Sequence, residues 1–452
     1  MKINSQHTDF YLLRKLSFIL SCLLLSINAP WAQKKTLTLE QCYEIAIDNS
    51  PLLKTKLLDI IGADVAINQA KMQFFPILNA GANHGYNWGQ SIDPFTNTFA
   101  SGRVRTNNFS VVLTWDVFTG LMNRYHLNMV TVSKQSSEEV YLLEKRNFKN
   151  QIASVYAKLQ TDVLIKNLYE EQFAMTKILF ENFSLKEKTG RISPFELMRV
   201  QALLQQDSAL VLAADNNIRY TKFVLTQMLN SSDSSGIDYD FLVLNEKQLV
   251  DGLRVFNDWQ VDTMQEIRVA QLNKEIAEIE YKIYKSQLLP RLTINSALGS
   301  GYSGNNTELV GTSFVAKPMD VQIRENLYQT AVVTLSVPIF NAYRVRNQLR
   351  MSEIRIQQAQ LNIEQTQIEI TNFVERLLLE YENEVINLKA KKLLYETYQE
   401  LFDASEKMYS NGLTNYLDYA EAKFSLTQAR LDYLISLSKS YGILLFLENL
   451  IL

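Results

Sequence analysis

Two short segments of the 452-residue chain hold the side chains best placed to do chemistry, Lys188 through Glu196 and Ser410 through Asp418. Each contains a glycine, Gly190 or Gly412, followed six residues later by an acid, Glu196 or Asp418; Glu421 comes three residues after Asp418. On a helix, Asp418 and Glu421 share one face. Carboxylates repeated around an opening hold and select mobile cations, whereas on an isolated helix they are a solvated acidic face. Catalysis finds no comparable support. Beyond residue 32 the chain has two histidines, His84 and His126, and one cysteine, Cys42. They form no metal-ligand spacing, and there is no nucleophile elbow or phosphate-cradling glycine loop. No enzyme activity, cofactor or metal is expected. His84 reads as a polar residue of a strand facing a lumen or an interface, and Cys42 as a small core residue on a helix.

The elements that must position these segments are long. Fifteen Gly and eight Pro are few for a chain of this size, because compact domains use such residues in their tight turns. With 45 Lys+Arg against 48 Asp+Glu the formal charge is -3, which offers no cationic field to nucleic acid. Residues 1–32 read as an export signal: Arg14 and Lys15, an apolar core from Leu16 to Ile27, then small residues ending at Ala32. That core is well short of the roughly 20 residues a membrane-spanning helix needs. A lipoprotein signal at Cys22 is the alternative, disfavoured by Leu20 and by the apolar residues that follow the cysteine. Removing the signal takes Lys2, Arg14, Lys15 and Asp9, leaves a charge of -5, and keeps Cys42 without a disulfide partner.

The remainder reads as one unit written twice: a first repeat over 33–236, a linker over 237–258 and a second repeat over 259–452. Gln73-Phe74-Phe75-Pro76 returns as Gln287-Leu288-Leu289-Pro290, and Gly190 returns as Gly412. The second offset is the longer by eight, a difference that a surface loop absorbs. Each unit runs helix, strand, strand, long helix, turn, helix. The long helices are expected at about 121–189 and 341–411, stretches with no Gly or Pro between Leu121 and Thr189 or between Ile339 and Asn411. At 1.5 Å per residue they reach about 100 Å. Val374, Tyr381, Leu388, Tyr395, Phe402 and Tyr409 recur every seven residues, the period of a left-handed supercoil. The equivalent positions Ile152, Leu159, Lys166, Phe173, Phe180 and Glu187 keep the stripe at four of six.

Strands are expected at about 78–88, 109–118, 291–302 and 331–339, from period-two alternation such as Phe109, Val111, Leu113, Trp115 and Val117. Polar loops, Gly89 to Asn108 and Ser303 to Thr330, separate them. About ten residues suits a tilted strand crossing a bilayer. Four such strands leave two open edges, and each unpaired backbone group in hydrocarbon costs several kcal/mol. Copies around an axis remove the edges. Eight strands from two chains leave a side-chain-filled interior, and twelve from three enclose a passage; this arithmetic favours a ring without fixing three.

The duplicated helix-strand-strand-helix order, the helices ended at Pro76 and Pro290, and the turns at Gly190 and Gly412 together resemble the TolC-type outer-membrane efflux protein family, over essentially all of the exported chain. The resemblance implies a mainly α fold with a small β part, a trimer with a twelve-stranded transmembrane β-barrel of four strands per chain, and an α-helical tunnel in the periplasm. It implies a passive exit duct in the outer membrane for small molecules, working with a periplasmic membrane-fusion adaptor and an inner-membrane pump. Gly190, Ile192, Ser193, Gly412, Leu413 and Thr414 would form the tip turns that dock the adaptor, and Glu196, Asp418 and Glu421 would line the tunnel entrance. Thr414 departs from the family pattern, which has a basic residue that helps lock the mouth. Protein secretion through a type I system is the second reading of the cargo; a sequence without His- or Met-rich stretches gives metal no support. Outside the class, a periplasmic adaptor is the alternative, but it would show one hairpin between split β-domains rather than two hairpins that each follow a strand pair.

Overall fold

The computed structural model describes residues 35–93, 95, 97, 99–230, 237–241, 249 and 259–451. The expected export signal, residues 1–32, lies outside the described residues. The chain divides into two compact units, one of Met1–Pro51, Arg146–Asn257 and Leu377–Leu452, the other of Leu52–Lys145 and Asp258–Arg376. Each unit therefore takes pieces from both sequence repeats.

The second unit contains a four-stranded antiparallel sheet in the order β2-β3-β5-β8: β2 is Ile77–Ile92, β3 Phe99–Phe118, β5 Arg291–Ser303 and β8 Tyr328–Ser336. The first hairpin is longer than the sequence suggests. Ile77 to Ile92 pair continuously with Thr114 to Phe99, so much of the expected loop from Gly89 to Asn108 is strand. Its Gly, Asn and Ser residues resemble turn chemistry, yet cross-strand pairing continues through them. In the second hairpin the chain between β5 and β8 forms a small ribbon, β6 (Thr307–Val310) with β7 (Ser313–Ala316), and a short helix, α6 (Met319–Glu325).

Register divides the sheet into two unlike faces. Leu78 opposes Leu113, Ala80 opposes Val111, and Ala82 opposes Phe109; Val111 opposes Leu298, and Ile294 opposes Trp115 and Val333. The other face carries Asn79, Gly81 and Asn83 opposite Val112, Ser110 and Asn108, continued by Thr293, Asn295 and Ala297. The outer edges of β2 and β8 have no strand partner among the described residues. Above Gly299, where β8 no longer covers β5, α6 and its C-cap residue Asn326 close the edge with side-chain amides. Ser303 N donates to Gln322 Oε1 at 3.0 Å, Gln322 Nε2 donates to Ser303 O at 3.1 Å, and Asn326 Nδ2 donates to Gly301 O at 2.8 Å. The Gln322 amide thus imitates one residue of a missing strand. Among the described residues no helix is both long and apolar enough to cross a membrane.

The other helices come in matched pairs. α2 (Pro51–Met72) and α5 (Gln265–Ser286) have 22 residues each, α3 (Met122–Lys188) and α7 (Arg344–Ser410) 67 each, and α4 (Pro194–Leu229) and α8 (Tyr416–Ile451) 36 each. The seven-residue stripe becomes core: Val374, Tyr381, Leu388 and Phe402 are buried, as are Ile152 and Leu159. Lys166, a polar interruption, is matched by Asp215 on α4 at 2.9 Å.

In the first unit β1 (Lys35–Leu37) pairs in parallel with β4 (Ile237–Tyr239). α1 (Leu39–Asn49) follows β1, started by a Thr38 and Gln41 capping box. Cys42 is buried there, as expected, and burial pushes its thiol up to about 12. The segment 237–258, expected as a linker, instead supplies β4 and buried Tyr239 and Leu249, while 242–248 and 250–258 lie outside the described residues. Two buried tyrosines anchor it. Tyr156 donates its hydroxyl to Asp240 O, and Tyr381 donates to Leu249 O at 2.5 Å.

Candidate functional site

The two expected tip turns have the same backbone design. α3 ends with Gly190 N donating to Glu187 O at 2.8 Å and Arg191 N to Lys186 O at 2.9 Å; α7 ends with Gly412 N donating to Tyr409 O at 3.0 Å and Leu413 N to Met408 O at 2.8 Å. This pair of bonds satisfies the last carbonyls of a helix and requires a left-handed residue, supplied by Gly190 (φ 69°) and Gly412 (φ 72°). The next helices then start differently. Ser193 caps α4 through a reciprocal box: Glu196 N donates to Ser193 Oγ at 3.3 Å, and Ser193 N donates to Glu196 Oε2 at 3.1 Å, with Pro194 in the first turn. In the second turn Asp418 N donates to Asn415 Oδ1 at 3.0 Å, and Thr414 Oγ1 donates to Asp418 Oδ2 at 2.8 Å.

The candidate residues consequently have distinct environments. Glu196 is exposed but committed to its cap. Asp418 is exposed and tied to Thr414, and Glu421 is exposed. Leu413 stands out at 71% exposure, with Phe195 and Leu417 also exposed. Ile192 instead turns inward, against a core of Leu179, Phe183, Val200, Phe402, Tyr419 and Ala422.

Aromatic rings dominate that core. Phe183 stacks on Tyr409 at 6.5 Å between centroids, and Tyr409 on Tyr419 at 5.0 Å. An open groove of about 520 Å³ runs beside them, lined by Met175, Ile178, Leu179, Phe183, Tyr409 and Tyr419 among others. Burial pushes Tyr409 up to about 12, helped by Tyr416 and Glu196, and burial pushes Tyr419 up to about 12, helped by Glu406, Tyr409 and Tyr416. A phenol whose folded pKa exceeds its unfolded value of about 10 contributes stability that is complete below pH 10 and is lost as pH rises toward 12. Helical content followed by circular dichroism from pH 9 to about 12 is therefore expected to fall less in Tyr409→Phe/Tyr419→Phe than in the parent. An equal fall in both proteins would contradict the assigned burial effect.

Further from the tips is a buried polar network that the sequence reading missed. Asp207 on α4 is 1% exposed and Lys423 on α8 is 5% exposed. Lys423 Nζ stands 3.6 Å from Asp207 Oδ2 and donates to Gln172 O at 3.2 Å and to the Thr176 hydroxyl. Asp207 also accepts from Gln172 Nε2 at 2.7 Å and from Thr176 Oγ1 at 2.5 Å. Burial pulls Lys423 below the ordinary lysine range, and Asp207 acts against it. The pair breaks the repeat, since the offset that relates Gly190 to Gly412 sets Asp207 against Ala429 and Lys423 against Gln201. A legible signal existed: Val200, Asp207, Ala214 and Thr221 are spaced by seven and buried, so Asp207 is the one charge in a buried stripe of uncharged residues.

Among the described residues no group of His, Cys, Asp and Glu could hold a metal ion. Residues 263–437 match the family of outer membrane efflux proteins. No curated protein matches the chain. Among solved structures, the fold is similar to the outer membrane protein VceC from Vibrio cholerae, with 16% identity, TM-score 0.75, and 91% of this chain and 95% of that chain covered. The Campylobacter jejuni CmeC outer membrane channel is similar at 14% identity and TM-score 0.75, over 91% of this chain and 85% of that one. The open state of the Neisseria gonorrhoeae MtrE outer membrane channel is similar at 14% identity and TM-score 0.72, over 91% and 88%.

Proposed function

We propose that this chain, whose residues 263–437 match the outer membrane efflux protein family and whose fold is similar to that of outer-membrane channels, is the outer-membrane exit duct of a tripartite efflux system. The observation that carries the reading is the four-stranded sheet with one apolar face, one polar face and two outer edges unpaired among the described residues. In hydrocarbon such edges must be closed. Three copies joined edge to edge give a twelve-stranded barrel with the small polar residues inside, wide enough to pass solutes. An export signal ending near Ala32 delivers the chain, and the long helices form a tunnel in the periplasm. The duct performs no reaction; an inner-membrane pump drives small molecules into it through a periplasmic adaptor. The exposed Leu413, with Gly190, Ser193, Gly412 and Thr414, forms the docking tips, and Ile192 supports them from within the core.

Asp418 and Glu421, repeated in three copies, form acidic rings at the entrance and favour cations. The test is reconstitution of the detergent-purified protein into planar bilayers. The parent is expected to run as a trimer and to conduct with cation preference, and Asp418→Asn/Glu421→Gln to conduct with that preference reduced. A monomer without conductance overturns the duct; unchanged selectivity in the variant overturns the role of the acids.

A further inference from the structure

We propose that the loop end of the sheet's apolar face is a binding site for the phosphate-bearing headgroup of an anionic lipid, centred on Arg103 and Arg105. The inference rests on the duct reading, which puts this face against the bilayer and the loop end away from the periplasm.

The register builds the site. Above the apolar rows, His84 opposes Asn107, then Tyr86 opposes Arg105, then Trp88 opposes Arg103, all on the apolar face. Tyr302 joins the His84 row from β5, across from Asn107. The Arg103 guanidinium lies 5.0 Å from the centre of the Tyr86 ring, and that of Arg105 lies 4.9 Å from the centre of the Tyr302 ring. Both arginines are exposed, and among the described residues neither lies within ion-pair distance of a carboxylate. Two unneutralised cations two residues apart attract an anion.

The occupant follows from what surrounds the charges. A guanidinium stacked on a ring keeps its N–H edge free for bidentate contact with phosphate oxygens. Tyr86 and Trp88 are amphipathic rings of the sort that settle at the boundary between hydrocarbon and headgroups. Leu78, Ala80 and Ala82, lower on β2, continue the same face as an apolar wall. Free phosphate uses the arginines alone; a lipid uses the arginines, the boundary rings and the wall together. A lipid in contact with this face therefore fits more of the site than a soluble anion does.

The test uses the full protein, purified in detergent as a trimer. It is incubated with lipid A bearing its phosphates, with the dephosphorylated lipid, or with inorganic phosphate alone, and retained lipid is measured by native mass spectrometry. The parent is expected to retain phosphorylated lipid A and to lose most of it when dephosphorylated. Arg103→Gln/Arg105→Gln is expected to weaken retention roughly tenfold or more, as loss of charge-assisted bonds implies, while Arg103→Lys/Arg105→Lys falls between. Equal retention by the parent and the Gln variant, indifference to dephosphorylation, or equally tight capture of inorganic phosphate alone would each overturn the proposal. Conductance separates the two readings. A Gln variant that forms conducting trimers yet holds lipid A like the parent sinks only the lipid site, whereas a parent that never inserts or conducts sinks the duct.

Discussion

Replacing Lys423 with Met is expected to destabilise the protein by about 3–5 kcal/mol, the usual result of leaving one member of a buried ion pair alone. Asp207, 1% exposed, would keep only its bonds from Gln172 and Thr176, which offset part of a carboxylate's desolvation but none of its charge. Thr176 and the Gln172 carbonyl would also lose the ammonium. Adding Asp207→Leu is expected to recover most of the loss, because an apolar pair of similar volume removes both charges from the interior. Thermal unfolding by circular dichroism in detergent, comparing parent, single and double variants, measures the coupling. A Lys423→Met protein as stable as the parent would show that the pair is not buried in the assembled protein.

The second large effect concerns the sheet. Val333→Arg puts a cation in the middle of the apolar face, opposite Ile294; in the proposed barrel that face meets the bilayer, where about 2–4 kcal/mol is expected for Arg near the midplane. In a trimer that cost recurs in every copy. Val332→Arg, one residue away, lies on the polar face opposite Asn295 and is expected to assemble normally with altered conductance. Both side chains are more than half exposed in the single chain, 65% and 52%, so exposure alone does not separate them; only the solvent each face meets does. Trimer yield in isolated membranes is the readout, and equal yields for the two variants would refute the assignment of faces.

Much of this organisation was legible in the residues. Absence of Gly and Pro between Leu121 and Thr189 marked a helix, and the structure runs it from Met122 to Lys188. Gly190 and Gly412 marked the turns because left-handed backbone favours glycine so strongly. What was hidden shares a physical cause: local sequence does not report long-range partners. Gly89, Gln90 and Ser91 read as a loop, yet pairing to Gly102, Ser101 and Ala100 makes them strand. Tyr239 and Leu249 read as linker because the partners that place that segment, strand β1 and buried Tyr156 and Tyr381, are distant in sequence. At the candidate site, the acids were visible by spacing, but Glu196 proved to be held by Ser193, and nothing around Lys423 signalled that its carboxylate lay in the other repeat, at Asp207.

The equality of helix lengths between the repeats makes each long helix a ruler. One residue inserted into α3 before Thr176 would advance everything beyond it by about 1.5 Å and turn it by about 100°, swinging the Thr176 hydroxyl away from Asp207 and Phe183 away from Tyr409. Drift of this kind cannot be absorbed inside a helix that lacks any Gly or Pro to break it. Changes in the length of such a chain should therefore accumulate in its strand-connecting loops, where the eight-residue offset already lies, and any change in helix length should come in whole heptads, matched in both halves.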